Sequence, residues 1–185
     1  TDNYQREIER YGEDTMLESE SIFHYDSKMI LDYVALKPYF EKDETFDVSV
    51  FKSKSKKYII INADSTLTSE YQTVLSATPD ADFKIFQKRK RELEYTISHY
   101  GDSFYILTNK DDATNFKLMK TPETKTQAKN WVEVIGHRED VMLEGIDIFK
   151  DYLVVSEKTN GLNQINIIPW SGAEAYYLPF EIETY

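Results

Sequence analysis

Hydrophobic positions along this chain fall mostly in short runs rather than in helical stripes. Phe46, Val48 and Val50 alternate with Asp47 and Ser49, the period-2 pattern of a half-buried strand. A polar stretch rich in lysine and serine follows at 52–57. Next comes Tyr58-Ile59-Ile60-Ile61, a continuous β-branched and aromatic run expected of a strand covered on both faces. Similar runs return at Phe104-Tyr105-Ile106-Leu107 and at Tyr152-Leu153-Val154-Val155, so the spacing between them is 46 and then 48 residues. A repeat of this length carrying four short strands is the signature of propeller blades.

The pattern predicts an all-β chain of about three four-stranded antiparallel blades, at about 45–87, 93–136 and 144–179. In the first unit the strands are expected at 46–50, 58–61, 71–76 and 83–86, with turns at Asn62-Ala63-Asp64-Ser65 and Thr78-Pro79-Asp80. The second places them at 94–98, 103–108, 115–120 and 131–135, with a tight turn at Tyr100-Gly101-Asp102 and a polar loop starting at Thr121-Pro122. In the third, strands at 145–148, 152–156, 164–168 and 175–178 are punctuated by Asn160-Gly161, a strong hairpin signal, and Ser171-Gly172.

Residues 1–38 read differently. Tyr4, Ile8 and Tyr11 stand at helical spacing before Gly12, whereas 22–25 and 29–36 fit either two strands or a further helix that stops before Pro38. The chain thus divides into an N-terminal segment, 1–38, of undecided structure and a partial propeller, 39–185. Propellers typically need four to eight blades to close, so the chain reads as a fragment of a larger protein. Its unclosed blades would expose edge strands through which copies can associate.

Composition narrows the classes. Of 185 residues, 41% are apolar and 30% charged, with 14 Tyr, 10 Phe and 2 Trp, as expected of a soluble globular domain. The formal charge of −11 argues against nucleic acid as a partner, because phosphate binding needs a basic face. It suits attraction of cationic peptides, although solubility alone is the simpler reading. The absence of cysteine removes disulfides, thiolate metal sites and a thiol nucleophile. It fits a reducing compartment; the expectation is cytoplasmic, with the periplasm as the alternative. No run approaches the ~18 apolar residues of a membrane helix, and no signal-peptide pattern opens the chain, so no membrane partner is expected.

Motifs that carry chemistry are sparse. Gly101-Asp102-Ser103 begins like the G-x-S-x-G nucleophile elbow, but Phe104 and Tyr105 stand where small residues are needed. No glycine-rich phosphate loop is present, and His24, His99 and His137 are scattered without an H-E-x-x-H pattern. No cofactor, metal or catalytic residue is therefore expected, and each histidine reads as a surface or hydrogen-bonded side chain. The acidic groups Glu41-Lys42-Asp43-Glu44, Asp111-Asp112 and Glu139-Asp140 read as solvated turns rather than glycosidase pairs, and Asp64, Asp80, Asp82 and Asp102 as turn caps. Two connections between units carry more charge than a turn requires: 87–92, with Arg89 and Arg91, and His137-Arg138-Glu139-Asp140. These six residues are candidates for a separable domain interface held by ion pairs, the alternative being a solvated loop.

Several stretches together resemble one family. EKDETFDVSVFKSKSKKYIIINADSTLTSE (41–70), EYTISHYGDSFYILTN (94–109), WVEVIGHREDVMLE (131–144), FKDYLVVSE (149–157) and Gly161-Leu162 are similar, in order, to the propeller domain of the oligopeptidase B (protease II) branch of the prolyl oligopeptidase family. The resemblance runs from about Tyr39 to Phe180 and does not include 1–38. It implies a serine peptidase of two parts, a seven-bladed propeller and an α/β-hydrolase domain, that cleaves short peptides after Lys or Arg. The catalytic Ser, Asp and His belong to the hydrolase domain, and no position here matches them. The portion present would be the gating half, inactive alone, with the α/β-hydrolase domain of the same protein and short basic peptides as its partners. Two other readings compete on the residues alone: a free-standing propeller that binds proteins, and a carbohydrate-active β-domain.

Overall fold

The computed structural model describes residues 23–25, 39 and 41–179. The helical expectation around Tyr4–Tyr11 and the segment at 29–36 lie outside the described residues. The described elements are thirteen strands, β1 (Phe23–Tyr25), β2 (Asp47–Lys52), β3 (Tyr58–Ser65), β4 (Thr68–Leu75), β5 (Lys84–Ile85), β6 (Tyr95–Tyr100), β7 (Ser103–Thr108), β8 (Lys117–Pro122), β9 (Val132–Ile135), β10 (Val141–Ile148), β11 (Tyr152–Thr159), β12 (Leu162–Pro169) and β13 (Tyr176–Tyr177), with one 3-10 turn at Ala128–Asn130. They form three antiparallel meanders, β2 to β5, β6 to β9 and β10 to β13. The first gains a fifth strand, because β1 pairs with β2 in the register Phe23↔Val50 to Tyr25↔Val48.

Side-chain alternation stacks the sheets face to face. In β3, Ile60 points toward the second sheet, while Ile61 and Ala63 point away onto Phe46 and Val48. The unbroken apolar run is therefore covered on both sides, as its lack of alternation requires. In the second sheet, Tyr95, Ile97, Phe104, Ile106 and Met119 face the first, and Leu107 and Leu118 face Leu143, Leu153 and Val155 of the third. Phe86, completely buried, closes the first seam among the rings of Phe104 (4.9 Å), Tyr95 (6.2 Å) and Trp131 (6.3 Å). Each such side chain contributes about 1.5–3 kcal/mol on burial. The second seam is sealed by Trp170, stacked on Tyr100 at 5.6 Å and 11°.

Hydrogen bonds stitch the first seam. The Ser69 amide donates to Leu93 O (3.1 Å), and the Tyr71 amide donates to the Tyr95 hydroxyl (3.1 Å), which itself donates to Gln87 O (3.1 Å). Gln127 and the Ala128 amide bond Phe86 O and Gln87 Oε1 at 2.9 and 2.8 Å.

The turns follow local chemistry, with one correction. Gly101 (φ 59°) leads a two-residue hairpin between β6 and β7; Asn160 (φ 52°) and Gly161 (φ 79°) form the one between β11 and β12, both left-handed as a type I′ turn requires. Asn62-Ala63-Asp64-Ser65, expected to turn, instead continues β3, and the chain reverses at Thr66-Leu67. Ala63 is fully buried, and the Asn62 amide donates to the Asp64 carboxylate along one face, so these two polar side chains bond each other within a strand. Asp64 is accordingly a strand residue and not a turn cap.

Antiparallel order sorts the loops onto two rims. The β2–β3, β6–β7 and β10–β11 hairpins share the upper rim with the β4–β5, β8–β9 and β12–β13 loops. The lower rim carries the remaining hairpins and the connections between sheets.

Candidate functional site

The first strands of the three meanders, β2, β6 and β10, converge. Phe51 and Lys52 of β2, Ile97, Ser98 and His99 of β6, and Ile146, Asp147 and Ile148 of β10 line one cavity of about 360 Å³ below the upper rim. Lys54 spans its mouth from the β2–β3 hairpin, reaching Asp147 Oδ1 (3.2 Å) with its ammonium 3.9 Å above the Phe149 ring. That pair is exposed, so its worth is at most a few tenths of a kcal/mol. A second cavity of about 570 Å³ lies outward, among Lys57, Thr73, Lys84 and Glu123.

Beside the first cavity is a polar cluster that the sequence did not announce. His99 follows Tyr95 and Ile97 on the buried face of β6, and its side chain is 1% exposed. Nδ1 lies 2.8 Å from Ser55 Oγ and Nε2 3.1 Å from Glu123 Oε2. Lys57 Nζ (2.6 Å) and the Tyr58 hydroxyl (3.0 Å) also donate to Glu123 Oε2. Burial pushes the His99 pKa below its ordinary 6.5 and prevails over the hydrogen bond and charge of Glu123; Lys57 adds to the depression. The hydrogen bonds from Lys57, Tyr58 and His99 hold the Glu123 carboxyl below its ordinary value, against the effect of burial. Burial, then the bond and charge of Glu123, raise the Tyr58 phenol to about 12. The available signal was positional: a histidine on the inward parity of an otherwise apolar strand.

The charged connections lie on the lower rim. Arg89 turns inward: its guanidinium forks onto the Glu41 carboxylate, its Nε lies 3.5 Å from Glu70 Oε1, and it stacks 3.8 Å above the Phe46 ring. Glu41 is buried, which corrects its reading as part of a solvated turn. Burial alone would raise its pKa, but Arg89, the Asp43 amide (2.9 Å) and the Tyr39 hydroxyl (2.9 Å) lower it to about 2. Arg138 Nη2 donates to Glu157 Oε1 (2.7 Å); Glu157, 1% exposed, also accepts from Asn166 (3.3 Å) and the Tyr177 hydroxyl (2.9 Å). His137 Nε2 accepts the Asn115 amide (3.3 Å), and the Asn115 side-chain amide donates to the carbonyls of Arg138 (3.0 Å) and Glu139 (2.8 Å). Arg91 is exposed and faces its neighbour Glu92 at 3.8 Å; the side chains of Glu139 and Asp140 are exposed. The six candidates therefore share a rim but not one cluster.

Ser103 opens β7 in a plain hairpin, far from the strand-to-helix turn of a nucleophile elbow. Among the described residues no group of His, Cys, Asp and Glu is arranged to hold a metal ion, and no helix is long and apolar enough to cross a membrane.

Face-packed meanders whose first strands share a cavity define consecutive blades of a β-propeller. The chain belongs to the prolyl oligopeptidase family: the model of its N-terminal β-propeller domain matches residues 38–184. Dipeptidyl aminopeptidase BI of Pseudoxanthomonas mexicana is 36% identical over 138 residues, 75% of this chain and 19% of the relative. Protease 2 of Moraxella lacunata is 32% identical over 128 residues, 69% of this chain and 18% of the relative. Among solved structures, oligopeptidase B from Leishmania major covers 78% of this chain at TM-score 0.70 and 25% identity, with 21% of its own length matched. Oligopeptidase B from Trypanosoma brucei, with covalently bound antipain in a closed form, covers 78% at TM-score 0.71 and 26% identity, again over 21% of its own length. The chain thus spans about a fifth of the length of the relatives it matches.

Proposed function

We propose that this chain is the non-catalytic, size-selecting propeller portion of a serine peptidase that hydrolyses short peptides after Lys or Arg. The observation that carries this reading is the convergence of β2, β6 and β10 on one cavity within a chain of the prolyl oligopeptidase propeller family. Rigid sheets around a narrow space select by size without chemistry, because a folded substrate would have to unfold to enter. The net charge of −11 favours entry of peptides carrying Lys or Arg. The similarity to protease 2 and to oligopeptidase B favours that specificity over other peptidase specificities.

The partner is an α/β-hydrolase domain of the same protein, which supplies the catalytic serine. Arg91, His137, Glu139 and Asp140 on the lower rim are its proposed contacts, with Arg89 and Arg138 bracing the loops that carry them. Cytoplasmic localisation goes with this reading, as does self-association of the isolated chain through edge strands such as the exposed β13. The test is cleavage by the product of the complete coding sequence of a short Lys-containing peptide and of the same segment held in a folded domain. Cleavage of the free peptide alone supports size selection; equal cleavage of both, or of neither, removes it.

A further inference from the structure

The lysine-rich β2–β3 hairpin holds an arrangement that gating does not use. Ser55 is exposed at the tip of the hairpin, and behind it stand His99 and Glu123, at 2.8 and 3.1 Å along the chain of contacts. The proton positions follow from donor and acceptor rules. An ionised Glu123 only accepts, so Nε2 of His99 carries the hydrogen that faces it. The neutral ring then offers only a lone pair at Nδ1, and the Ser55 hydroxyl must donate there. The Ser53 hydroxyl, 2.9 Å away, and the Lys57 amide, 3.4 Å away, also bond Ser55 Oγ. Every proton thus points in the direction that draws the Ser55 proton toward the imidazole, the geometry of an activated hydroxyl with its base and the carboxylate that positions the base. The adjoining cavity is lined by Ser53, Lys54 and Lys56, the hairpin neighbours of Ser55, and by His99, and Ser55 itself is exposed to solvent.

We infer that Ser55 is a nucleophile, a hydroxyl activated by His99 that accepts an acyl group from small activated carboxylic esters. Ser55 Oγ forms a bond to the ester carbonyl carbon as its proton passes to His99 Nδ1. Collapse of the tetrahedral species breaks the bond to the leaving oxygen, which departs with that proton or, as a stable phenolate, leaves it on His99 to be released to solvent. Ser55 is left as an acyl ester that water hydrolyses by the same route. Glu123 is a positioning residue that fixes the tautomer. Peptide amides, with their poor leaving groups, are outside this class. The inference does not rest on the gating role.

The test uses p-nitrophenyl acetate with the purified full chain, following p-nitrophenolate release and then mapping acetyl groups by peptide mass spectrometry after acid quench. The map separates Ser55 from hairpin lysines and from any other serine. Acetylation of Ser55 is expected, with release slowed roughly a hundredfold in Ser55→Ala and about tenfold or more in Glu123→Gln, in line with the worth of general-base assistance. Both positions lie on the rim, and circular dichroism checks that the variants keep their β signal. The rate of Ser55 acetylation should rise with pH as His99 loses its proton, with its midpoint below 6.5: burial lowers that pKa and Lys57 adds to the depression, whereas the facing carboxylates Glu123 and Asp102 oppose it. Acetylation confined to lysines overturns the inference. So does Ser55 acetylation that is unchanged in Glu123→Gln or whose pH midpoint lies above 6.5.

Discussion

Replacing Tyr95 by Phe removes one oxygen atom and tests how the blades are joined. β5 is only two residues long, so β4 loses its ladder partner where the chain leaves at Phe86. Phe86 N still donates to Tyr71 O (2.8 Å), but the Tyr71 amide finds its acceptor in the next blade, on the Tyr95 hydroxyl. The phenol, held protonated because burial drives its pKa upward, passes its own proton to Gln87 O. Tyr95→Phe keeps the ring contacts with Tyr71 (5.2 Å) and Trp131 (5.3 Å), so packing is preserved. It strands one buried donor and one acceptor. Each costs about 1–3 kcal/mol, and Gln87, half-buried, recovers part of its share from water. The expected loss is about 2–3 kcal/mol, read as a lowered urea midpoint at unchanged slope. Hydrogen exchange at the Tyr71 amide should accelerate alongside. A loss under about 0.5 kcal/mol with that amide equally protected would refute the reasoning that this hydroxyl completes the ladder.

Other consequences follow from the rims and turns. Arg138→Ala leaves Glu157 buried without its cation; about 3 kcal/mol of stability should be lost in urea denaturation, the low end of the range for one-sided removal because Arg138 is partly exposed. Gly161→Ala should cost about 1 kcal/mol by the same assay through the left-handed backbone alone, since an added Cβ meets nothing within 4 Å. Stability should fall on acidification in two windows. His99, with its folded pKa below 6.5, binds its proton more readily when unfolded, so its share of stability is present above pH 6.5 and is lost as pH drops toward the depressed folded value. Glu41, lowered from 4.5 to about 2, loses its share between those values. Urea midpoints that stay constant from pH 7 to 5 would contradict the first window.

The strand skeleton was legible because it rests on local rules. Period-2 alternation at 46–50, the doubly covered run at 58–61 and Asn160-Gly161 are each decided by residues within a few positions. The misread turn at Asn62–Ser65 shows where such rules end: two polar side chains that bond each other lie as easily in a strand as in a loop, and only the pairing with β2 and β4 tells them apart. Glu41 was unreadable for a related reason. Its partner Arg89 is 48 positions away, and a carboxylate in an acidic run gives no local sign that it is buried. The His99 cluster joins a hairpin, a strand and a loop from two blades, so its parts, Ser55, His99 and Glu123, are separated by 44 and 24 positions. Its one local trace was a histidine on the buried parity of β6.

Amide hydrolysis after Lys or Arg, measured side by side for the 185-residue chain and for the product of its complete coding sequence, tests the central claim most directly. A propeller that gates chemistry done elsewhere predicts no cleavage by the chain, cleavage of short peptides by the complete product, and intact folded proteins in the same reaction. Peptide cleavage by the chain alone, or digestion of folded proteins by the complete product as fast as of peptides, would contradict it.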